Sequence, residues 1–297
     1  MRKGLFIILF LAITSTIFFS KVIEVGGGSS QYTTIKSAVL DAREGDVIRI
    51  HAGNYVENLR FSKILTLEGV NTHNVVLKPL DPKLPTIMVE NCNLLNISGM
   101  TVYGETIAIS LAMTNATISG NKIFSNKDGI RAGTLNHEIK IINNQISGNF
   151  NNIKNINTNG IMLVGVGKTI IENNNIQSFG SGIYLGGKKP VKITENQIHL
   201  NYNGIYASGN TEAIISGNRF YENNRAAILL VSKPVVSISS NHFSSNKMFD
   251  LLVSNRTCGE FLIDFSGKIT GNSNYLDEPF KICPTDFNLP EDFSKGL

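Results

Sequence analysis

The sequence predicts an all-β fold: a single-stranded right-handed parallel β-helix with three short strands per coil and coils of about 22 residues. Three observations predict it. A short motif ending in Asn recurs along the second half of the chain. Within each copy, apolar and polar residues alternate with the two-residue period of a strand rather than the 3.6 of a helix. Turn formers are dense, with 35 Asn and 27 Gly among 297 residues, while Trp is absent and Pro is scarce. An apolar fraction of 42 % supports a core, so the Asn content does not signal disorder.

The N-terminus stands apart from the fold. Arg2 and Lys3 precede an apolar run from Leu5 to about Phe19, the pattern of a secretory signal and short for a membrane span. Residues 1–20 are therefore expected to be a signal peptide or an uncleaved membrane anchor, and the protein to be exported, periplasmic or secreted. Membrane association is expected only if this segment is retained. Its removal leaves 25 basic against 23 acidic residues, a surplus of +2 that gives nucleic-acid binding no support.

Residues 21–45 are expected to cap the solenoid. Thr33 or Thr34 can cap a short helix reaching about Ala42, with Ile35, Ala38, Val39 and Ala42 on its inner face. A helix over the open end blocks strand-edge pairing. The solenoid is expected over residues 46–276, with a C-terminal cap or tail over 277–297.

The repeats justify the strands. Segments 116–130, 139–149, 169–183, 191–205, 213–228 and 236–251 each contain an Ile, two residues, an Asn, one residue, then Ile or Phe. The Asn positions are Asn121, Asn144, Asn174, Asn196, Asn218 and Asn241, spaced 23, 30, 22, 22 and 23 apart. A seventh copy at 269–275 places Asn272 next, and Met100 takes the Asn slot of an earlier relative. Stacked in register, Ile118, Ile171, Ile193, Ile215 and Ile238 form one interior column. Ile123, Ile146, Ile176, Ile198, Phe220 and Phe243 form a second, and Ile130, Ile161, Ile183, Ile205, Ile228 and Leu251 a third. The Asn residues are expected to be a structural ladder. Asn tolerates the left-handed backbone of a tight bend, and its amide both donates and accepts. The period lengthens at 150–159 and around 254–262, where extra residues become loops.

Export permits a disulfide. Cys258 and Cys283 both fall in the C-terminal region, so a bridge closing the last coil is one reading, with Cys92 left as a buried thiol. No metal-ligand spacing occurs, and neither a metal nor another cofactor is expected.

The element Thr34-Ile35, Ala38, Gly45-Asp46, Gly53, Tyr55, Glu57-Asn58 and Leu65–Gly69, followed by the Asn repeats, resembles the pectin-lyase-like superfamily. Within it, the resemblance is to the carbohydrate-binding and sugar-hydrolase branch that includes NosD-like accessory proteins of copper enzymes. It implies a β-helix over about residues 22–275 and a polysaccharide or cell-surface glycan as partner. It does not fix an activity, since the superfamily includes lyases, hydrolases, esterases, epimerases and inactive scaffolds. Gly53-Asn54-Tyr55-Val56-Glu57 matches an early esterase element, but the esterase Asp-Phe-x-Phe-Gly motif has no counterpart. No Asp-Asp pair stands in the repeats for hydrolysis, and no converging carboxylates for a calcium-dependent lyase.

The strand after each Gly-Ile pair is where the superfamily places its groove. Its outward positions are Arg131, Met162, Tyr184, Tyr206, Leu229 and Leu252. Tyr184 and Tyr206 on adjacent coils suit a sugar ring, or simply form a solvent-facing ladder that stabilises the sheet. Lys168, Lys188, Lys189 and Lys233 follow this strand on the turns, and Arg225 precedes it; they suit an acidic polysaccharide or serve solubility. Asp128, Arg131 and His137 form the compact polar group near this face, a candidate base and cation for proton abstraction beside a uronate carboxylate, or a surface ion pair with an unrelated His. The sequence thus supports three functions: a non-catalytic polysaccharide-binding scaffold, a polysaccharide lyase acting on an acidic glycan, and a NosD-like accessory protein.

Overall fold

The computed structural model describes residues 20–28, 30–133, 137–149, 157–165, 167–188, 190–259 and 261–295. Residues 1–19 of the expected signal segment, Lys189 and most of the 150–159 insertion lie outside them. All strand pairings are parallel, and each strand pairs with its counterpart in the next coil. Among the described residues the strands form one 19-stranded sheet that folds around two faces and one 11-stranded sheet that makes the third. Two long strands, Ile87–Ser98 and Ile107–Ser119, run across both faces of the wider sheet and join them.

The three apolar columns lie in the interior. Ile118, Ile141, Ile171, Ile193, Ile215 and Ile238 stack in register, as do Ile130, Ile161, Ile183, Ile205, Ile228 and Leu251. All are fully or almost fully buried. Each such side chain contributes on the order of 1.5–3 kcal/mol relative to exposure. The columns stay aligned because strand register is a two-residue choice: a one-residue slip would turn every Ile outward.

The Asn ladder is continuous through Asn121, Asn144, Asn174, Asn196, Asn218 and Asn241, all buried. Asn174 shows the unit. Its Nδ2 donates to Ile141 O (2.8 Å), Glu172 O (3.0 Å) and Asn196 Oδ1 (3.0 Å). Its Oδ1 accepts from the backbone N and Nδ2 of Asn144. Two expectations are corrected here. The seventh rung is Asn274, which receives Asn241 N and Nδ2 at 3.1 Å each, while Asn272 is exposed. The reason is register: Ile269 pairs with Val236, not with Ile238, so the motif match was offset by two residues. A two-residue offset keeps each side chain on its face, so the pattern alone does not reveal it. Nor do the ladder Asn residues take the left-handed conformation. The residue before each does: Gly120, Asn143, Asn173, Glu195, Gly217, Ser240 and Ser273 all have φ between 53° and 68°. That residue turns the chain and drops the following amide inside.

The helix Ile35–Asp41 covers the N-terminal end, with Thr34 as its cap. Glu57 accepts from Ile35 N (3.0 Å) and Lys36 N (2.8 Å) at its start. Lys63 Nζ donates to the carbonyls of Val39, Leu40 and Ala42 at its end. Opposite charges thus complement both ends of the helix dipole. The Gly-x-Tyr-x-Glu element therefore serves the cap here: Tyr55 Oη donates to His51 O (2.8 Å) and Glu57 holds the helix. The first rung, Val22–Val25, pairs with Val47–Ile50, so the solenoid begins inside the segment expected to be purely a cap. At the other end, Phe243, Phe280 and Phe293 pack together, and Ser294–Lys295 pairs with the strand Asn274–Leu276.

Candidate functional site

The groove ladder consists of the strands Asp128–Gly133, Asn159–Val164, Ser181–Gly186, Asn203–Gly209, Ala226–Ser232 and Phe249–Val253. Register aligns Arg131, Met162, Tyr184, Tyr206, Leu229 and Leu252 in one outward column. The column is not uniformly open. Arg131, Met162, Tyr184 and Tyr206 are partly exposed, whereas Leu229 and Leu252 are buried. The cause is the second insertion. Cys258 and Cys283 are disulfide-bonded with Cα atoms 5.7 Å apart, and Cys283 pairs with Leu252 as the next rung. The bridge lays Phe261 and both Cys over Leu229, Leu252 and Ala226, making a small apolar cluster outside the solenoid. Cys92 is a buried free thiol.

At the open end, Asp128 and Arg131 meet. Asp128 is fully buried, yet both carboxylate oxygens are bonded: Oδ2 accepts from Arg131 Nε (2.8 Å) and Nη2, and Oδ1 accepts from Asn159 Nδ2 (2.8 Å). The two residues stand three apart along the strand, and the Arg131 side chain keeps about a third of its surface exposed. The pair presents a positioned cation rather than a free carboxylate. His137 does not join it. It follows the C-terminal end of the strand that Asp128 opens, its backbone O accepts from Gly167 N, and its Nδ1 has no partner among the described residues.

Tyr184 and Tyr206 do meet, with ring centroids 5.2 Å apart, but edge to face at 78°. The Tyr184 hydroxyl shares a hydrogen bond with Ser208 Oγ (3.1 Å). Burial, chiefly, raises the Tyr206 phenol above its ordinary range, with Tyr184 adding to it and Arg225 opposing. The expected basic border is divided. Lys168, Lys188 and Lys233 are exposed on the turns after the strand. Arg225 is instead held between the rings of Tyr202 (5.9 Å) and Phe261 (5.5 Å), so it anchors the covering loop. His242 pairs with Asp277 at 2.7 Å. Among the described residues no group of three or more His, Cys, Asp or Glu side chains is arranged to hold a metal ion.

Beneath this face runs a buried polar column that the sequence reading overlooked: Asp128, Asn159, Ser181 and Asn203. Its signal was available, since each precedes Gly-Ile: Asp128-Gly-Ile, Asn159-Gly-Ile, Ser181-Gly-Ile and Asn203-Gly-Ile. The Gly is required sterically. A Cβ on Gly160 would lie 2.5 Å from Gly182 O, and one on Gly182 2.7 Å from Gly204 O. A second amide ladder, Asn201, Asn223 and Asn246, was also missed, although it repeats the apolar-x-x-Asn spacing once more in each coil.

Comparison with known proteins agrees with this architecture. A family model described as "Right handed beta helix region" matches residues 149–281. Among solved structures, an alginate lyase from Paenibacillus sp. str. FPU-7 is similar at 14 % identity and TM-score 0.57, over 93 % of this chain and 99 % of that one. Pectin methylesterase from carrot is similar at 14 % identity and TM-score 0.53, over 96 % and 90 %. The catalytic unit of a GH87 α-1,3-glucanase from Streptomyces thermodiastaticus strain HF3-3 is similar at 13 % identity and TM-score 0.62, over 88 % and 65 %. No curated protein sequence matches. The fold is a right-handed parallel β-helix, shared with these solved structures.

Proposed function

We propose that this protein is an exported, non-catalytic scaffold that binds an acidic polysaccharide along the open end of the groove ladder. The observation that carries the reading is the strip Arg131–Met162–Tyr184–Tyr206. It offers a positioned guanidinium and two partly exposed phenols in register, bordered by exposed Lys168 and Lys188. Tyr supplies an apolar face and a hydroxyl to a sugar ring, and Arg pairs with a uronate carboxylate. Asp128 is engaged on both oxygens, so it favours a holding role for Arg131 over service as a base. The structurally similar lyase and methylesterase are named for alginate and pectin, which supports an acidic glycan as the ligand class.

Affinity electrophoresis through gels containing polygalacturonate or alginate tests the reading. Retardation is expected, weakening as salt is raised. The double substitution Tyr184→Ala, Tyr206→Ala should weaken it about tenfold, the scale of one lost aromatic contact. Equal mobility with and without both polymers would sink the proposal. Accumulation of an unsaturated, ultraviolet-absorbing product would replace the scaffold with a lyase using Arg131.

A further inference from the structure

The 11-stranded sheet carries its own outward column, on a different face of the solenoid. In register it reads Tyr103, Phe124, Ser147, Gln177, His199, Tyr221 and Ser244. The rings pair as flat stacks. Tyr103 and Phe124 lie 5.0 Å apart at 16°, and His199 and Tyr221 lie 4.4 Å apart at 9°. Lys78 Nζ covers the outer face of Tyr103 at 5.3 Å. The column is therefore a stack of groups repeating at the coil rise of about 4.8 Å. It is interrupted at Ser147, whose side chain is too short to cover Phe124.

The interruption opens into a cleft of about 250 Å³ that runs along three successive coils, lined by Tyr103, Glu105, Phe124, Asn126, Ser147 and Asn149. Its floor is made by Ser147, whose Oγ accepts from Gln177 Nε2 (3.2 Å). Its rim is a chain of polar groups: Asn149 Nδ2 donates to Asn126 Oδ1 (3.3 Å), and Asn126 Nδ2 donates to Glu105 Oε2 (2.7 Å). One wall is thus an open aromatic face and the others are hydroxyl, amide and carboxylate.

We propose that this slot binds one neutral pyranose unit, at a chain end or a branch, as the missing ring of the stack. A pyranose has a flat C–H face for Phe124 and equatorial hydroxyls for Ser147, Asn126, Asn149 and Glu105. Among the described residues no cation lines the slot, and Glu105 opposes a carboxylate; the ligand is neutral where that of the groove strip is acidic. The ring is missing at the Ser147 rung, next to the open face of Phe124, so the gap takes one unit there. It stands independently of the groove strip, which lies on another face.

Saturation-transfer NMR with the full-length mature chain and the methyl glycosides of glucose, galactose, mannose and N-acetylglucosamine tests the proposal. Transfer to the ring protons of at least one glycoside is expected. Phe124→Ala should reduce it about tenfold by removing the open face. Ser147→Phe should abolish it by filling the slot, and because it extends an existing stack it remains informative if Phe124→Ala fails to fold. Absence of transfer to all four glycosides, or transfer that survives Ser147→Phe, overturns the slot. Preference for methyl glucuronide over every neutral glycoside overturns it equally. None of these outcomes depends on retention by polygalacturonate, so failure of the strip and failure of the slot are read separately.

Discussion

At the scale of single residues, the buried amides carry the specificity of the coil. Each ladder Asn joins three coils, because its Nδ2 reaches a carbonyl behind and an amide oxygen ahead. Asn174→Ala removes the acceptor of both the backbone N and Nδ2 of Asn144 and the donor to Ile141 O in a dry interior. The expected loss is roughly 3 kcal/mol or more, measured by urea unfolding. His199 gives a pH signature. Its ring stacks on Tyr221, shares a hydrogen bond with Asn175 Oδ1 (2.9 Å), and leaves Nδ1 without a partner among the described residues. Burial pulls its pKa below the ordinary 6.5, with Glu222 acting in the other direction. The unfolded chain then takes up the proton more readily than the fold. The stability contribution is complete above pH 6.5 and is lost as the pH falls through and below that value. His199→Gln should flatten this slope in unfolding curves taken from neutral pH down to about pH 5.

At the scale of elements, the second insertion decides how much of the groove face is available. The loop held by Cys258–Cys283 covers Leu229 and Leu252, so the accessible strip ends at Tyr206. Arg225, between Tyr202 and Phe261, secures the loop from the solenoid side. Replacing both cysteines by Ser should cost about 3 kcal/mol for a closed loop of this size. It should also expose an apolar face, raising binding of a hydrophobic dye before global unfolding. Unchanged dye binding would mean that Arg225 and Phe261 hold the loop unaided. The N-terminal helix is pinned by a comparable economy of means: Glu57 at one end and Lys63 at the other fix a seven-residue helix too short to be stable alone.

At the scale of the whole molecule, each coil contacts only its neighbours, and the solenoid presents long, flat faces whose chemistry is set column by column. One face carries the Arg–Met–Tyr–Tyr strip and the other the interrupted aromatic stack. The spacing between the outward groups of a column is therefore the coil rise, which neither face can alter independently. Among the described residues the two faces differ in sign, a cationic strip against a slot lined by no cation, and under the two proposals they would meet different parts of a glycan.

The sequence by itself determined the β-helix, its interior columns, the capping helix at Thr34 and six of the seven rungs of the main Asn ladder. These follow from local period: alternation sets which side chain enters the core, and a repeat near 22 residues sets which ones stack. It also brought together Asp128 with Arg131 and Tyr184 with Tyr206, because neighbours within a strand or between successive coils are implied by register. Only the tertiary structure decided the rest. Asn274 replaced Asn272 because a two-residue offset leaves the alternation unchanged. Leu229 and Leu252 were covered because a loop of irregular sequence folded back over them, a contact that no period encodes. His137 fell away from Asp128 because the strand Asp128–Gly133 that Asp128 opens carries the chain away from it before His137 is reached. The aromatic slot depended on ring planes and on one short side chain among long ones, which is a matter of packing in three dimensions rather than of order along the chain.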